Sequence, residues 1–384
     1  LGGTAPVLAA LAGAQAYRCI ARKRVDRMAM TNTLEKILDL GRWAPSGDNT
    51  QNWRFEIVDA SRAIVHGFDT RDHCVYDLDG HPSQISLGAL IETIAIAASG
   101  HGLRIDCQRR KDVADIHPTF ELNFVPDASV QSDLLIPCIE KRSVQRRALS
   151  TRPLTANEKR TLEEAVGPNF YLQWIEGFGP KFSAAKLMFA NAKLRLTMPE
   201  AYLVHRDIIE WHARYSEDKV PDQALGADAM TLRLMKWVMQ SWERIAFFNT
   251  YLGGTLAPRI QMDFVPSLAC GAHFVIKAKQ ELVTIDDYVA AGRAVQRFWL
   301  TVTQLGLFMQ PEMTPIIFSR YVKHGLRFSN TGHMFEMAQK LEEQVNALID
   351  TRSSHPAFMG RVGAGNAPYA RSLRLPLARL MKQN

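Results

Sequence analysis

Hydrophobic positions in this chain fall into two rhythms. A period near that of a helix marks residues 31–44, where Leu34, Ile37, Leu38 and Gly41 share a face and Pro45 ends the run; a helix is predicted, with Thr31 or Asn32 as its N-cap. Alternation of apolar and polar residues follows at 55–59 and 63–68 and predicts two strands. Residues 86–98 are apolar on nearly every face, the pattern of a helix buried on all sides, with Gly100 and Gly102 as breakers. Strands are expected again at 104–109 and 119–125, and Pro126-Asp127-Ala128-Ser129 reads as a seam between halves.

The order then restarts. Thr155 and Glu158 are spaced as a capping box, helices are expected at 183–197, 199–214 and 230–251, and a strand at 264–266 and 269–278. Residues 286–305, closed by Gly306, echo the first central helix, and a last helix is expected at 332–349. Two central helices imply an intrachain pseudo-dimer: a first half at 31–129 and a second at 130–384, with a helical insertion at about 183–260. The insertion carries Met and Trp at helical spacing, read as core or as a cover over a site.

Composition narrows the class. With 384 residues, 47% hydrophobic and 22% charged, the chain is long enough and apolar enough to bury a large core. A formal charge of +7 suits phosphate-bearing ligands, yet no basic run is interleaved with aromatics, so nucleic acid is not the expected partner. The five cysteines are scattered without a Cys-x-x-Cys, which points to a reducing cytoplasm and against a disulfide framework. Residues 4–16 are apolar but shorter than the roughly 20 residues that span a bilayer, and the basic residues follow them; residues 1–30 read as a docked or linker helix of a processed or longer chain. His66, Asp69, Asp72, His73, Cys74, Asp77, Asp79 and His81 crowd together without metal-ligand spacing and read as a polar loop.

Candidate chemistry sits where the first helix meets the first strand, in Ala44-Pro45-Ser46-Gly47-Asp48-Asn49-Thr50-Gln51-Asn52-Trp53. Turn formers expose the backbone amides there, and the Ser46 hydroxyl with the Asn49 and Gln51 amides offers donors and acceptors suited to a flat polar ring. This stretch resembles the flavin-contacting motif of the nitroreductase-like FMN oxidoreductases, with Asn52 in place of that family's proline. Glu140-Lys141-Arg142-Ser143-Val144-Gln145-Arg146 is similar to the segment that holds the FMN phosphate in that family; guanidinium forks suit phosphate. The segment containing Arg371 and Arg374 resembles its closing stretch, in which a late arginine joins the clamp.

The resemblance implies an α+β nitroreductase-like fold made of two tandem degenerate copies, in the fused-dimer branch of the family. It implies FMN contacts from Pro45, Ser46, Gly47, Asn49 and Gln51 to the ring and ribityl chain, and from Arg142, Ser143, Arg146, Arg371 and Arg374 to the phosphate. The expected activity is hydride transfer from NAD(P)H through the flavin to a small-molecule acceptor, with no protein residue as catalytic acid or nucleophile. Each half lacks what the other keeps: Gly167-Pro168-Asn169 stands where a second turn loop would be, and Arg18, Arg22, Lys23, Arg24 and Arg27 carry charge without the serine. One FMN per chain is expected. Two alternatives stand beside this: an FMN-binding or storage protein whose flavin is covered, and a cofactor-free interaction module of a longer polypeptide. Further homodimerisation is compatible with either.

Overall fold

Two long helices, His81–Ser99 and Ile285–Gln304, cross at the centre. The computed structural model describes residues 32–351 and 354–383. A Cβ on Gly88 would fall 2.0 Å from the Val289 carbonyl oxygen, and one on Gly292 2.0 Å from that of Ile85, so only glycine permits the crossing. Around it Glu92 accepts from Arg293 at 2.8 Å and Arg297 at 2.9 Å, and Gln296 donates to the Thr93 hydroxyl at 2.9 Å.

Each helix carries a four-stranded antiparallel sheet. The first runs in the order Trp53–Ile57, Arg62–Gly67, Thr119–Pro126, Leu103–Arg109. Its inward residues, among them Trp53, Phe55, Val65, Phe120 and Leu122, pack on the first central helix and on Leu34, Ile37 and Leu38 of the preceding helix. The second sheet runs Leu307–Pro311, His355–Ala364, Ala272–Ala278, Phe170–Ile175. Phe274 and Phe298, with ring centroids 4.5 Å apart, join it to the second central helix. The C-terminal end crosses back: Met381 bridges to Phe55, and Leu380 is buried in the first core.

The chain between Phe170–Ile175 and Ala272–Ala278 holds helices Phe178–Leu196, Pro199–Ile208, Ala229–Val238 and Trp242–Tyr251. Helices Thr314–Lys323 and Gly332–Ile349 lie between the next two strands. The capping box at Thr155 and Glu158 forms as the spacing predicts. Four local expectations differ. Residues 230–251 are two helices, because the Ser241 side chain caps Arg244 N and starts a new one. Residues 264–268 are helical and the strand begins at Ala272. The helix expected to 214 ends at Ile208. Strands Phe170–Ile175 and His355–Ala364 lie in stretches read as loop or closing segment; Gly360 and Gly363 interrupt the alternation of the second.

The crowded polar stretch at 66–81 is used internally. Asp77 accepts from the backbone and hydroxyl groups of Thr70 and Ser83, and Asp79 pairs with Arg320 at 2.6 Å. Among the described residues no helix is long and apolar enough to cross a membrane, and Cys74, Cys107, Cys138 and Cys270 are free thiols. The helix or linker expected at 1–30, with its basic residues, lies outside the described residues.

Candidate functional site

The first helix ends in a tight turn, Gly47–Asn49, and the backbone then passes through left-handed conformations at Asp48 (φ 50°), Asn49 (φ 64°) and Gln51 (φ 47°). Asp and Asn tolerate this region better than most residues, which is why they stand here; three such residues together mark a backbone over-determined by its surroundings. The restraints are visible. Ser46 Oγ accepts from Gln51 N at 2.9 Å. Asn49 Nδ2 donates to the carbonyls of Glu217 at 3.1 Å and Lys219 at 3.2 Å. Gln51 Nε2 donates to the Glu217 carbonyl at 2.9 Å, and its Oε1 accepts from Leu375 N at 2.9 Å. Asn52, the departure from the resembled motif, ties the turn to Phe68 and Ser83 through their carbonyl oxygens at 2.9 and 3.2 Å.

The clamp segment leaves the first core at Ile139 and reaches the second sheet, where Val144 bridges to Met309. Arg142 follows a short turn at Ile136–Cys138 and is 3% exposed. Its Nη2 donates to the Trp43 carbonyl at 2.8 Å, and its guanidinium lies 4.6 Å from the Trp299 ring centroid. Arg374 Nε donates to the Ala44 carbonyl at 2.9 Å, and Arg371 stands over the Trp43 ring at 5.3 Å. Arg146 is fixed from behind by Arg361, whose Nη2 donates to the Arg146 carbonyl at 2.7 Å.

Pro45, Ser46, Gly47 and Asn49 meet Arg142, Ser143, Arg146, Arg371 and Arg374 on the wall of one cavity of about 340 Å³. Ile85, Ala89, Val295 and Trp299 of the central helices form its apolar side. Gln51 does not line it. Expected to face the ligand, it is fully buried behind the turn, and its amide is spent on holding that turn to residues 217 and 375.

The clamp arginines have no carboxylate within salt-bridge distance among the described residues. Burial, then the neighbouring charges of Arg374 and Arg371, hold Arg142 well below the ordinary guanidinium value; burial and Arg371 bring Arg374 down to about 9. Burial lowers Arg146 to about 10, against the pull of Asp48, and burial also lowers Arg371. A guanidinium keeps its proton in proteins, so this crowding is expressed as affinity for an anion. Buried Nε atoms of Arg142 and Arg371, and Asn49 Oδ1, have no partner. Donors at one end and an acceptor in the turn are what a ligand with a phosphate and a ring-edge N–H would fill, and these residues fit FMN.

Sequence reasoning missed the far end. Tyr76 hydroxyl and His205 Nε2 are 2.9 Å apart, and Arg195 pairs with Asp263 at 3.0 Å. Burial, then Arg195, pulls His205 down to about 3, so it is neutral. Asp48 is raised by burial despite Arg146 and Arg195. Beneath lies a buried chain: Arg361 donates to Glu312 at 3.0 Å, and Glu312 contacts His273 Nδ1 at 2.7 Å. His273 Nε2 donates to the Ser267 carbonyl at 2.8 Å. The signals available were the Pro-bracketed Gln310-Pro311-Glu312-Met313-Thr314 and a lone arginine in the apolar run 357–364. Nothing marked Tyr76, Arg195 or His205. Residues 229–251, expected as core or cover, do not line this cavity; they line a smaller one beside it.

No family model matches the chain. It is 20% identical over 335 residues to an uncharacterized protein of Mycobacterium tuberculosis, a match over 86% of this chain and 46% of that protein. The chain thus spans about half the length of the curated relative it matches. Among solved structures it is similar to a nitroreductase-like family protein from Bacillus cereus, at 12% identity and TM-score 0.34 over 67% of this chain and 99% of that one. It is also similar to the FMN-dependent nitroreductase NfnB from Mycobacterium smegmatis in complex with NADPH, at 11% identity and TM-score 0.34 over 64% and 96%. These structural neighbours are nitroreductase-like proteins, and at that TM-score the likeness carries no argument for the fold or the site.

Proposed function

We propose that this chain is an FMN-dependent oxidoreductase that passes a hydride from NAD(P)H to a small-molecule acceptor. The observation that carries the reading is one cavity in which a strained turn rich in hydrogen-bonding groups faces four arginines without carboxylate partners. Arg142, Arg146, Arg371 and Arg374 hold the phosphate; Pro45, Ser46, Gly47 and Asn49 present amides, a hydroxyl and the unpartnered Asn49 oxygen to the ring system. Bound FMN supplies the hydride-accepting chemistry. The chain orients the ring, supplies positive charge near it, and excludes water with Val295, Trp299 and Ile85.

We further infer that the two halves are degenerate copies. In both, two strands precede the central helix and two follow it, and the sheet orders coincide when the second is read in reverse. The helix crossing supports a fixed offset: Gly88 with Gly292, and Ile85 with Val289, are reciprocal partners. Under the same offset the Glu92–Arg297 contact becomes the Thr93–Gln296 contact. Self-complementary pairing of this kind is the signature of a two-fold interface.

The visible spectrum of the purified protein, recorded before and after NADPH, tests the function. Flavin absorbance that bleaches on NADPH is expected. Retained absorbance without bleaching would leave an FMN-binding protein with no reductase activity, and a colourless protein that takes up no added FMN would leave the interaction module.

A further inference from the structure

Beside the main cavity lies a second of about 110 Å³, and the two share Arg195 and His205 as a common wall. Its lining is apolar: Leu234, Met235, Val238, Ile245 and Phe248 of the helices Ala229–Val238 and Trp242–Tyr251, closed by Pro258. Most polar groups on its wall are spent. Asn249 donates to the Leu196 carbonyl at 2.9 Å, Tyr202 to the Met239 carbonyl at 3.3 Å, and His205 is held by Tyr76. Arg195 differs, because its Nε is buried without a partner while Nη2 is bound to Asp263. The arrangement is a partly open apolar cavity with one unmet donor on the wall it shares with the larger cavity.

Apolar walls favour a nonpolar group over water; a cavity of about 150 Å³ holds a benzene ring, so this one suits an unbranched tail on the order of four carbons. The outer faces of the same helices expose Leu234, Trp237, Phe247 and Tyr251, which gives an apolar molecule a surface by which to arrive.

We propose that this protein binds an amphipathic small molecule whose oxygen-bearing head lies at the far end of the main cavity, against Arg195, and whose short unbranched tail fills the second cavity. That this molecule is the electron acceptor rests on the function proposed above; the binding site does not. A head with a hydrogen-bond acceptor satisfies Arg195 Nε, and Met188 and Met262 line the same cavity. The two methionines adapt to heads of different outline.

The test uses redox-inert 4-n-alkylphenols with tails of one to eight carbons, titrated by calorimetry into the protein as purified. Affinity should rise about fourfold per added methylene up to about four carbons and then level off. Ala257→Phe, placed on the exposed rim of the second cavity, should abolish the dependence on tail length while leaving 4-methylphenol binding unchanged. Met235→Ala, which enlarges the chamber, should move the plateau to longer tails. An affinity that climbs steadily to eight carbons in wild type and Ala257→Phe alike would mean nonspecific partition onto the exposed apolar faces and would overturn the proposal, as would affinity indifferent to tail length. Because the probes carry no reducible group, the outcome is independent of whether bound FMN turns over; tail-dependent binding in a protein that NADPH does not bleach would sink the oxidoreductase reading alone.

Discussion

Replacing Arg142 with alanine removes a charge-assisted phosphate contact, and FMN affinity should fall by about 1.5–3 kcal/mol. Arg152, exposed and bound to Glu158 at 2.8 Å, is the matched control, and its alanine variant should bind FMN as wild type does. Equal losses in both, measured by fluorescence titration of added FMN, would remove the phosphate from this clamp. A second consequence at this scale concerns pH. Burial pulls His273 down most strongly of any one cause, but the charge and hydrogen bond of Glu312 together with the contact to Cys270 more than reverse it and raise the imidazole to about 10, while His273 and Arg361 together outweigh burial to hold Glu312 low. The His273 contribution is complete below its unfolded value, near 6.5, and is lost as pH rises toward 10; that of Glu312 is complete above its unfolded value, near 4.5, and is lost in acid. Stability should therefore decline on the alkaline side above about pH 6.5, and His273→Gln should flatten that limb in urea titrations across pH. An unchanged slope would show that the imidazole is not a cation in the folded protein.

The site was legible where its chemistry is local. Pro45-Ser46-Gly47 and Arg142-Ser143 each occupy consecutive positions, and turn formers or clustered arginines declare themselves without knowledge of the fold. Tyr76, Arg195, His205 and Asp263 come from four separated segments and meet only through tertiary packing, so no spacing announces them. Gln51 shows the opposite failure: its neighbours in sequence face the cavity, but its left-handed backbone turns the amide toward residues 217 and 375.

Among the elements, the crossing of the central helices is the least forgiving contact. The atoms opposing Gly88 are backbone atoms of Val289 and Gly292, which cannot rotate aside as a side chain would. Gly88→Ala should cost at least the upper end of the overpacking range, about 3 kcal/mol. Gly179→Ala, in open space within the helix Phe178–Leu196, should be neutral or slightly stabilising. Thermal denaturation of the two variants separates these outcomes, and an equal melting temperature for both would show that the helices do not approach this closely. The first central helix was readable because burial on nearly all sides leaves an apolar run that needs no partner to recognise, whereas the second exposes Asp286 and Arg293 and was readable from its helical period and the glycine that closes it. The break at Ser241 was not, since a single capping oxygen interrupts a periodicity that otherwise continues through it.

For the molecule as a whole, the proposed duplication predicts stoichiometry. Under the offset that relates the helices, Ala89 of the cavity wall corresponds to Arg293, which is held by Glu92 at 2.8 Å. Matching the first strands of the two sheets, Trp53–Ile57 and Phe170–Ile175, puts Gly167-Pro168-Asn169, which lacks the serine, in the place of the turn loop. FMN released by denaturation from the saturated protein should therefore approach one per chain. A ratio near two would show a second working site, and one near zero would end the flavin reading.

The hairpin between the first two strands also sets a timetable for folding. Ile57 lies opposite Ala63, whereas Ile175 lies opposite His273 with residues 176–272 between them. Closing a loop roughly twenty times longer costs about 2–3 kcal/mol more in chain entropy, and contacts of high sequence separation slow the search. In pulse-labelled hydrogen exchange the amides of Trp53–Gly67 should gain protection before those of Phe170–Ile175, and the reverse order would show that the inserted helices condense first and bring the distant strands together. A chain arrested between these events holds a finished first sheet beside an open second one. The arginine clamp, Trp299 and the turn would then not yet face one another, which makes the ligand cavity the latest product of folding and a bound anion able to trap only the completed fold.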